Sequence, residues 1–213
     1  MRDRAARLLD KLAALRARGV VTFGSNAHRF ELAPPLSEAE IAAHEARLGV
    51  RLPDAYRFFL GHVGRSGAGP YYGIAAPERW DEALHGDVAL PDFAARPCVF
   101  TPELPRDDAL WARLVDGLDE PLQGTIVVAD QGCAFYASLV VTGPARGRVA
   151  YVDLDGGVPY FPEDEDFLAW YERWLDELGW GFEHHWFGSG MRGDEATLTA
   201  AAADPACARR GDA

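Results

Sequence analysis

The adjacent histidines beside a carboxylate, Glu183-His184-His185, are the residues of this chain best equipped for metal binding or general-base catalysis. Their spacing argues against both. Neighbouring residues on an extended segment point to opposite faces, and the i, i+4 spacing that lets two histidines share a zinc ion on one helix face is absent. His28, His44, His62 and His85 lack carboxylate partners at ligand spacing and read as surface residues. The run Gly67 to Gly73 has the glycine density of a phosphate loop. It follows a helical pattern instead of a strand, however, and places Pro70 where a phosphate-facing N–H is needed. Asp153-Leu154-Asp155-Gly156 starts like a calcium loop, but the twelfth position holds Asp164 where the bidentate glutamate belongs, so a tight hairpin turn explains it better. Gly188-Ser189-Gly190 lacks the flanking spacing and the leading strand of a nucleophile elbow. The four consecutive carboxylates Glu163 to Asp166 would point around a helix circumference and would not converge on one substrate atom. Cys98, Cys133 and Cys207 are odd in number and have no C-x-x-C spacing, which predicts reduced thiols, two of them buried, without disulfide or zinc. The expectation is a protein with no catalytic residues, no cofactor and no metal. An enzyme with a site at Glu183 to His185 is the least favoured alternative.

Composition narrows the partners. The 213 residues, 48% hydrophobic and 25% charged, suffice for one sizeable core, and no Pro/Ser-rich linker divides them. The N-terminus is charged throughout, and no stretch approaches the length that spans a bilayer, so a cytoplasmic location is expected. The formal net charge is −12, unevenly placed. Ten acidic residues and a single Arg173 lie between Tyr151 and Glu183, whereas the first eighteen residues carry six basic against two acidic. An acidic face of this kind repels nucleic acid and membranes and attracts a basic protein.

The elements that must position these residues are legible in the periodicity. Residues 2 to 18 form an amphipathic helix with Leu8, Leu12 and Leu15 on one face, ended by Gly19. A short extended piece is expected between Val20 and Leu32. Ser37 and Glu40 make a capping box with Leu36 and Ile41 as a hydrophobic staple, and that helix should stop at Gly49. Pro53 opens the next helix, whose Tyr56, Phe59, Leu60 and Val63 recur at i, i+3, i+4, i+7 as one buried stripe. Tyr71 to Ala75 reads as a strand. Residues 107 to 117 read as a helix with Leu110, Trp111, Leu114 and Val115 inward. Thr125 to Asp130, Cys133 to Thr142 and Arg148 to Asp153 then read as three strands. Their short turns, the first at Gln131-Gly132, require antiparallel pairing and so a meander. A helix from Glu163 to Leu178 with Phe167, Trp170, Tyr171 and Trp174 on one stripe should cover the sheet. Three segments are expected: an N-terminal helix over 1–19 packed on the domain, the domain over 20–187, and a loose tail over 188–213.

The capped helix and its successor carry Leu36, Ile41, Glu45, Leu48, Gly49, Leu52, Pro53, Tyr56, Phe59 and Leu60 in an order and spacing that closely resembles the SUKH superfamily, the Smi/Knr-type and Syd-like proteins. Tyr72-Gly73-Ile74, the meander and the aromatic closing helix extend the resemblance over about residues 30 to 180. One departure is Gly64-Arg65-Ser66-Gly67, where the family has an Asn-Gly turn. The resemblance implies a single α+β domain with a central antiparallel sheet packed against helices. It also implies a non-catalytic, protein-binding role. For a bacterial member, that role is an immunity protein that neutralises a polymorphic or contact-dependent toxin, often a nuclease, by direct binding. The alternative is an interaction or regulatory module of the Smi/Knr type. The family defines no toxin-contacting positions by motif. Expected exposure alone nominates Asp153, Asp155, Glu163, Asp164 and Asp166 as partner contacts, with Tyr71 and Tyr72 as aromatic anchors.

Overall fold

A computed structural model describes residues 2–80, 92–105, 107–116, 118, 120–154, 157–182 and 187. The helices are α1 (Arg2–Ala17), α2 (Ser25–His28), α3 (Glu38–Leu48), α4 (Asp54–His62), α5 (Asp108–Val115) and α6 (Phe167–Gly179). Between α5 and α6 run β1 (Thr125–Gly132), β2 (Phe135–Val140) and β3 (Val149–Asp153), an antiparallel sheet in the order β1-β2-β3. The fold is α+β, as its strand and helix segregation requires.

The helix starts follow their local chemistry. Ser37 Oγ accepts from Glu40 N while the Glu40 carboxylate accepts from Ser37 N at 2.8 Å, completing the capping box. Leu36 and Ile41 are buried beside it, and Gly49 ends the helix at φ 69°. Pro53 caps α4, which buries Tyr56, Phe59 and Leu60 completely. Glu45 then joins the two helices, accepting from Leu52 N at 2.7 Å and from the Arg57 guanidinium, which also reaches Glu38.

Sheet burial explains why the strand sequences do not alternate. On one face Ile126, Val128, Ala137, Leu139 and Val149 join the main core with α1, α4 and α6. On the other, Val127, Val140, Ala150 and Val152 pack with Phe93, Cys98, Phe100 and Leu122. A sheet covered on both faces needs apolar residues at consecutive positions, which gives β1 its Thr-Ile-Val-Val-Ala run. Neither edge is bare. Segment 72–80 bonds along β1, with Ala75 N donating to Val128 O at 2.9 Å and Val127 N to Trp80 O at 2.9 Å. Tyr160 exchanges two bonds with Tyr151 on β3. Covered edges do not template further pairing.

Five expectations need correction. The closing helix begins at Phe167, four residues later than its carboxylates suggested, because Asp166 is its cap and accepts from Ala169 N at 2.8 Å. Tyr71 to Ala75 is no strand; Ile74 alone bridges Gly67 and Ala129. Gly73, at φ 98°, holds this loop so tightly that a side chain there would run into the Gly67 carbonyl. The first hairpin turns at Cys133-Ala134, because Gln131 and Gly132 continue β1. α5 starts on an Asp107 cap but, against the expected inward stripe, buries none of its residues fully; Leu114 is exposed and Trp111 leans on Phe100. His28, expected outside, is buried among Phe30 and Trp174, because the extended piece expected before Leu32 is instead the short helix α2. Burial holds the His28 imidazole near a pKa of about 4. Neutral at pH 7, its Nδ1 accepts from Phe30 N at 3.0 Å.

Phe59 touches Phe167 and Tyr171 with ring centres 5.1 and 4.8 Å apart, so it locks α4 to α6. Phe59→Ala is expected to destabilise by about 3–5 kcal/mol in denaturant titration. A midpoint close to wild type would contradict the claimed stripe.

Candidate functional site

The acidic stretch after Tyr151 is mostly engaged inside the molecule, and the basic N-terminus is its counterpart. Glu172 on α6 accepts from Arg4 at 3.3 Å, Arg7 at 2.6 Å and Lys11 at 2.9 Å, all on α1. Lys11 also pairs with Asp176 at 2.6 Å, and Arg18 donates to the Gly179 carbonyl at 2.7 Å, binding the far end of the seam. The hydrogen bond from Arg7, with further help from Lys11 against partial burial, holds the Glu172 carboxyl down at about 2. On the same helix Arg173 grips Asp164 with two nitrogens at 2.8 and 2.7 Å and reaches Glu177 at 2.9 Å. Its guanidinium lies 4.2 Å from the Phe187 ring centre. Such bidentate, stacked contacts are specific to arginine.

The nominated contacts therefore separate. Asp164, expected to be exposed, is buried because Arg173 neutralises it there. Asp166 caps α6. Tyr71, expected to be an exposed anchor, is also buried; it sits at φ 57° with its hydroxyl donating to the Phe187 carbonyl. Glu163 is exposed and Asp153 half-buried. Tyr72 is 46% exposed. Asp155, the Glu183 to His185 segment, His85, Cys207 and the tail after Gly188 lie outside the described residues. Cys98 is buried, which pushes its thiol up to about 11, and Cys133 is exposed. Among the described residues no group of three or more His, Cys, Asp or Glu is placed to hold a metal. No helix among them is long and apolar enough to cross a membrane.

What the structure brings together lies at the hairpin end of the sheet. Tyr72, Phe135 and Leu154 are exposed there, and Asp153 stands opposite Phe135 in the β2–β3 register. Phe23 joins them, its ring centre 5.5 Å from that of Tyr72. Phe23, Phe135 and Leu154 were not foreseen. Phe135 has the same sequence character as the buried positions 137 and 139, and only the length of the helical cover decides that it is open. Two depressions also mark the surface, one along α1 and one beside Tyr72. One, of about 760 Å³, runs between α1 and segment 30–35 and is bordered by the Arg16–Glu31 ion pair at 2.5 Å. A smaller one of about 210 Å³ lies between Tyr72, Tyr136, Asp130 and Arg79.

The family model described as SMI1 / KNR4 family (SUKH-1) matches residues 35–173. No curated protein and no solved structure matches the chain. The matched span contains α3, α4, α5, the whole sheet and the first half of α6, so α1 packs from outside it onto the helix that closes it.

The seam has a defined pH window. The Glu172 carboxyl is held below its ordinary 4.5, so its contribution to stability is complete above pH 4.5 and fades as pH falls toward about 2. Glu172→Gln is expected to lower stability at pH 7 by about 1–3 kcal/mol, the worth of hydrogen bonds to a charged group, and to flatten the acid slope in that window. Urea unfolding between pH 7 and pH 2 reads both; identical curves for variant and wild type would show that the seam contributes nothing.

Proposed function

The chain belongs to the SMI1 / KNR4 family (SUKH-1), and on that premise we propose that it is an immunity protein that neutralises a basic bacterial toxin domain by binding it directly. Membership in this family supports a protein-interaction domain. The observation that carries the finer reading is electrostatic. Internal pairing, from Glu172–Arg7 to Asp164–Arg173, removes no charge from the molecule, so the net charge stays at −12. A toxin that grips phosphates must do so with arginine and lysine. A surface with surplus carboxylate can compete for that site and is drawn to it through the long-range field, which raises the association rate more than the final affinity.

The pairing also restricts which acids can act at the surface. Asp164, Glu172 and Glu177 are clamped, and Asp166 is needed at the start of α6. Glu163 and Glu165 are exposed, and Asp153 is partly so. Cytoplasmic residence follows from this reading, since an inhibitor must meet its toxin inside the cell that makes both.

On this reading a toxin gene lies directly upstream, and the toxin domain it encodes is the probe. Stopped-flow association should slow by about tenfold or more between about 0.05 and 0.5 M salt, the range over which the Debye length contracts severalfold. Asp153→Asn, Glu163→Gln and Glu165→Gln together should slow it further at low salt without changing the melting temperature. Absence of binding by the wild-type chain would contradict the immunity reading and favour a regulatory interaction module on the same fold.

A further inference from the structure

Cross-strand partners project to the same face of a sheet, so the pairs of β2 and β3 form successive rungs beneath α6. Leu139 with Val149 and Ala137 with Tyr151 are covered; Trp170 Nε1 donates to the Tyr151 hydroxyl at 2.7 Å over the second rung. The third rung, Phe135 with Asp153, points the same way but runs past the helix, leaving Phe135 37% exposed. Gly132 pairs with Phe135 and faces this side too. Where its side chain would stand, the Tyr72 ring lies instead, 3.3 Å from the position a Cβ would take. Phe23 extends the row beyond Tyr72. Three large apolar side chains, Phe23, Tyr72 and Phe135, thus line one ledge, and Leu154 follows Asp153 at its end with its N–H held by the Ala134 carbonyl at 3.0 Å.

The ledge is held in place from behind. Tyr71 at φ 57° buries its own ring and so turns Tyr72 outward. Cys133 and Ala134, at φ 51° and 68°, make the turn that carries Phe135, in a conformation that disfavours a non-glycine residue by roughly 1–2 kcal/mol. Backbone of this kind persists where the surrounding structure over-determines it, and it clusters at functional sites.

We propose that this ledge is the docking surface for a protein partner that presents an apolar side chain flanked by basic residues. The proposal deepens the protein-interaction reading and rests on it. Charge selects the occupant: Asp153 stands opposite Phe135 and the whole chain carries −12, so a second copy is repelled and a basic surface attracted. The chain's own residues 188–213 offer only Met191 and Leu198 as large apolar side chains, a poor complement to three. Rigid aromatic rings give large contact area for little ordering entropy, which is why such residues dominate interface energetics.

The test places a photo-crosslinking amino acid at position 72 or 135 of the full chain, with exposed position 114 on α5 as control, and irradiates cells that produce it. The expected result is a discrete adduct from 72 and from 135 but not from 114, joined to a partner segment containing arginine or lysine. Its yield from position 72 should fall about tenfold with Phe135→Ser plus Asp153→Asn, at an unchanged melting temperature. No adduct from the ledge, equal adducts from 114, or adducts confined to a second copy or to the chain's own tail would each overturn the proposal. An adduct with some other basic protein, in a chain that ignores the upstream toxin domain, would sink the immunity reading and leave the ledge standing.

Discussion

The structure depends on enclosing α6. Phe167, Trp170, Tyr171 and Trp174 are all buried on this one helix, and rings of that size cannot be left to water, so α1, α4 and one face of the sheet are arranged to cover them. α4 supplies Tyr56 and Phe59, stacked edge-to-face on Phe167 and Tyr171. Phe30 stacks on Trp174, with ring planes 9° apart. The polar atoms of these rings are satisfied as they are buried: Trp170 Nε1 by Tyr151, and the Tyr171 hydroxyl by the Ala68 carbonyl at 3.0 Å. That last bond ties the glycine-rich loop, and through it the edge of β1, to the same helix.

The charged side of α6 is closed by the same logic. Glu172 and Asp176 face α1, whose arginines and single lysine meet them, while Leu8, Leu12 and Leu15 of α1 bury against the core beside that seam. Arg173 draws Asp164 inward from the loop before the helix. The helix is therefore consumed on all its sides, and the proposed ledge lies where the sheet outruns it.

Much of this was legible in the sequence because it is local. The capping box at Ser37, the stop at Gly49, the stripe from Tyr56 to Val63 and the antiparallel meander each follow from neighbours a few residues apart. The charge asymmetry was legible too, but its meaning was not: the basic first helix and the acidic last one are more than 150 residues apart, and composition cannot say that they pair. Exposure failed for the same reason. Asp164 looks like any solvated acid until Arg173 is placed beside it, and Tyr71 and Tyr72 look alike until one backbone angle sends the first inward and the second outward. Phe135 repeats the pattern of the buried residues two and four positions on, so only the reach of α6 reveals it as surface.

The central claim is a division of labour, with the α1–α6 seam holding the fold and the hairpin end of the sheet meeting the partner. Amide hydrogen exchange of the chain, free and bound to its partner, tests it most directly. The account predicts new protection at residues 132–135, at Leu154 and around Tyr72, with α1 and α6 exchanging as slowly in the free protein as in the complex. Protection gained along α1 and α6, with the hairpin end unchanged, would contradict it.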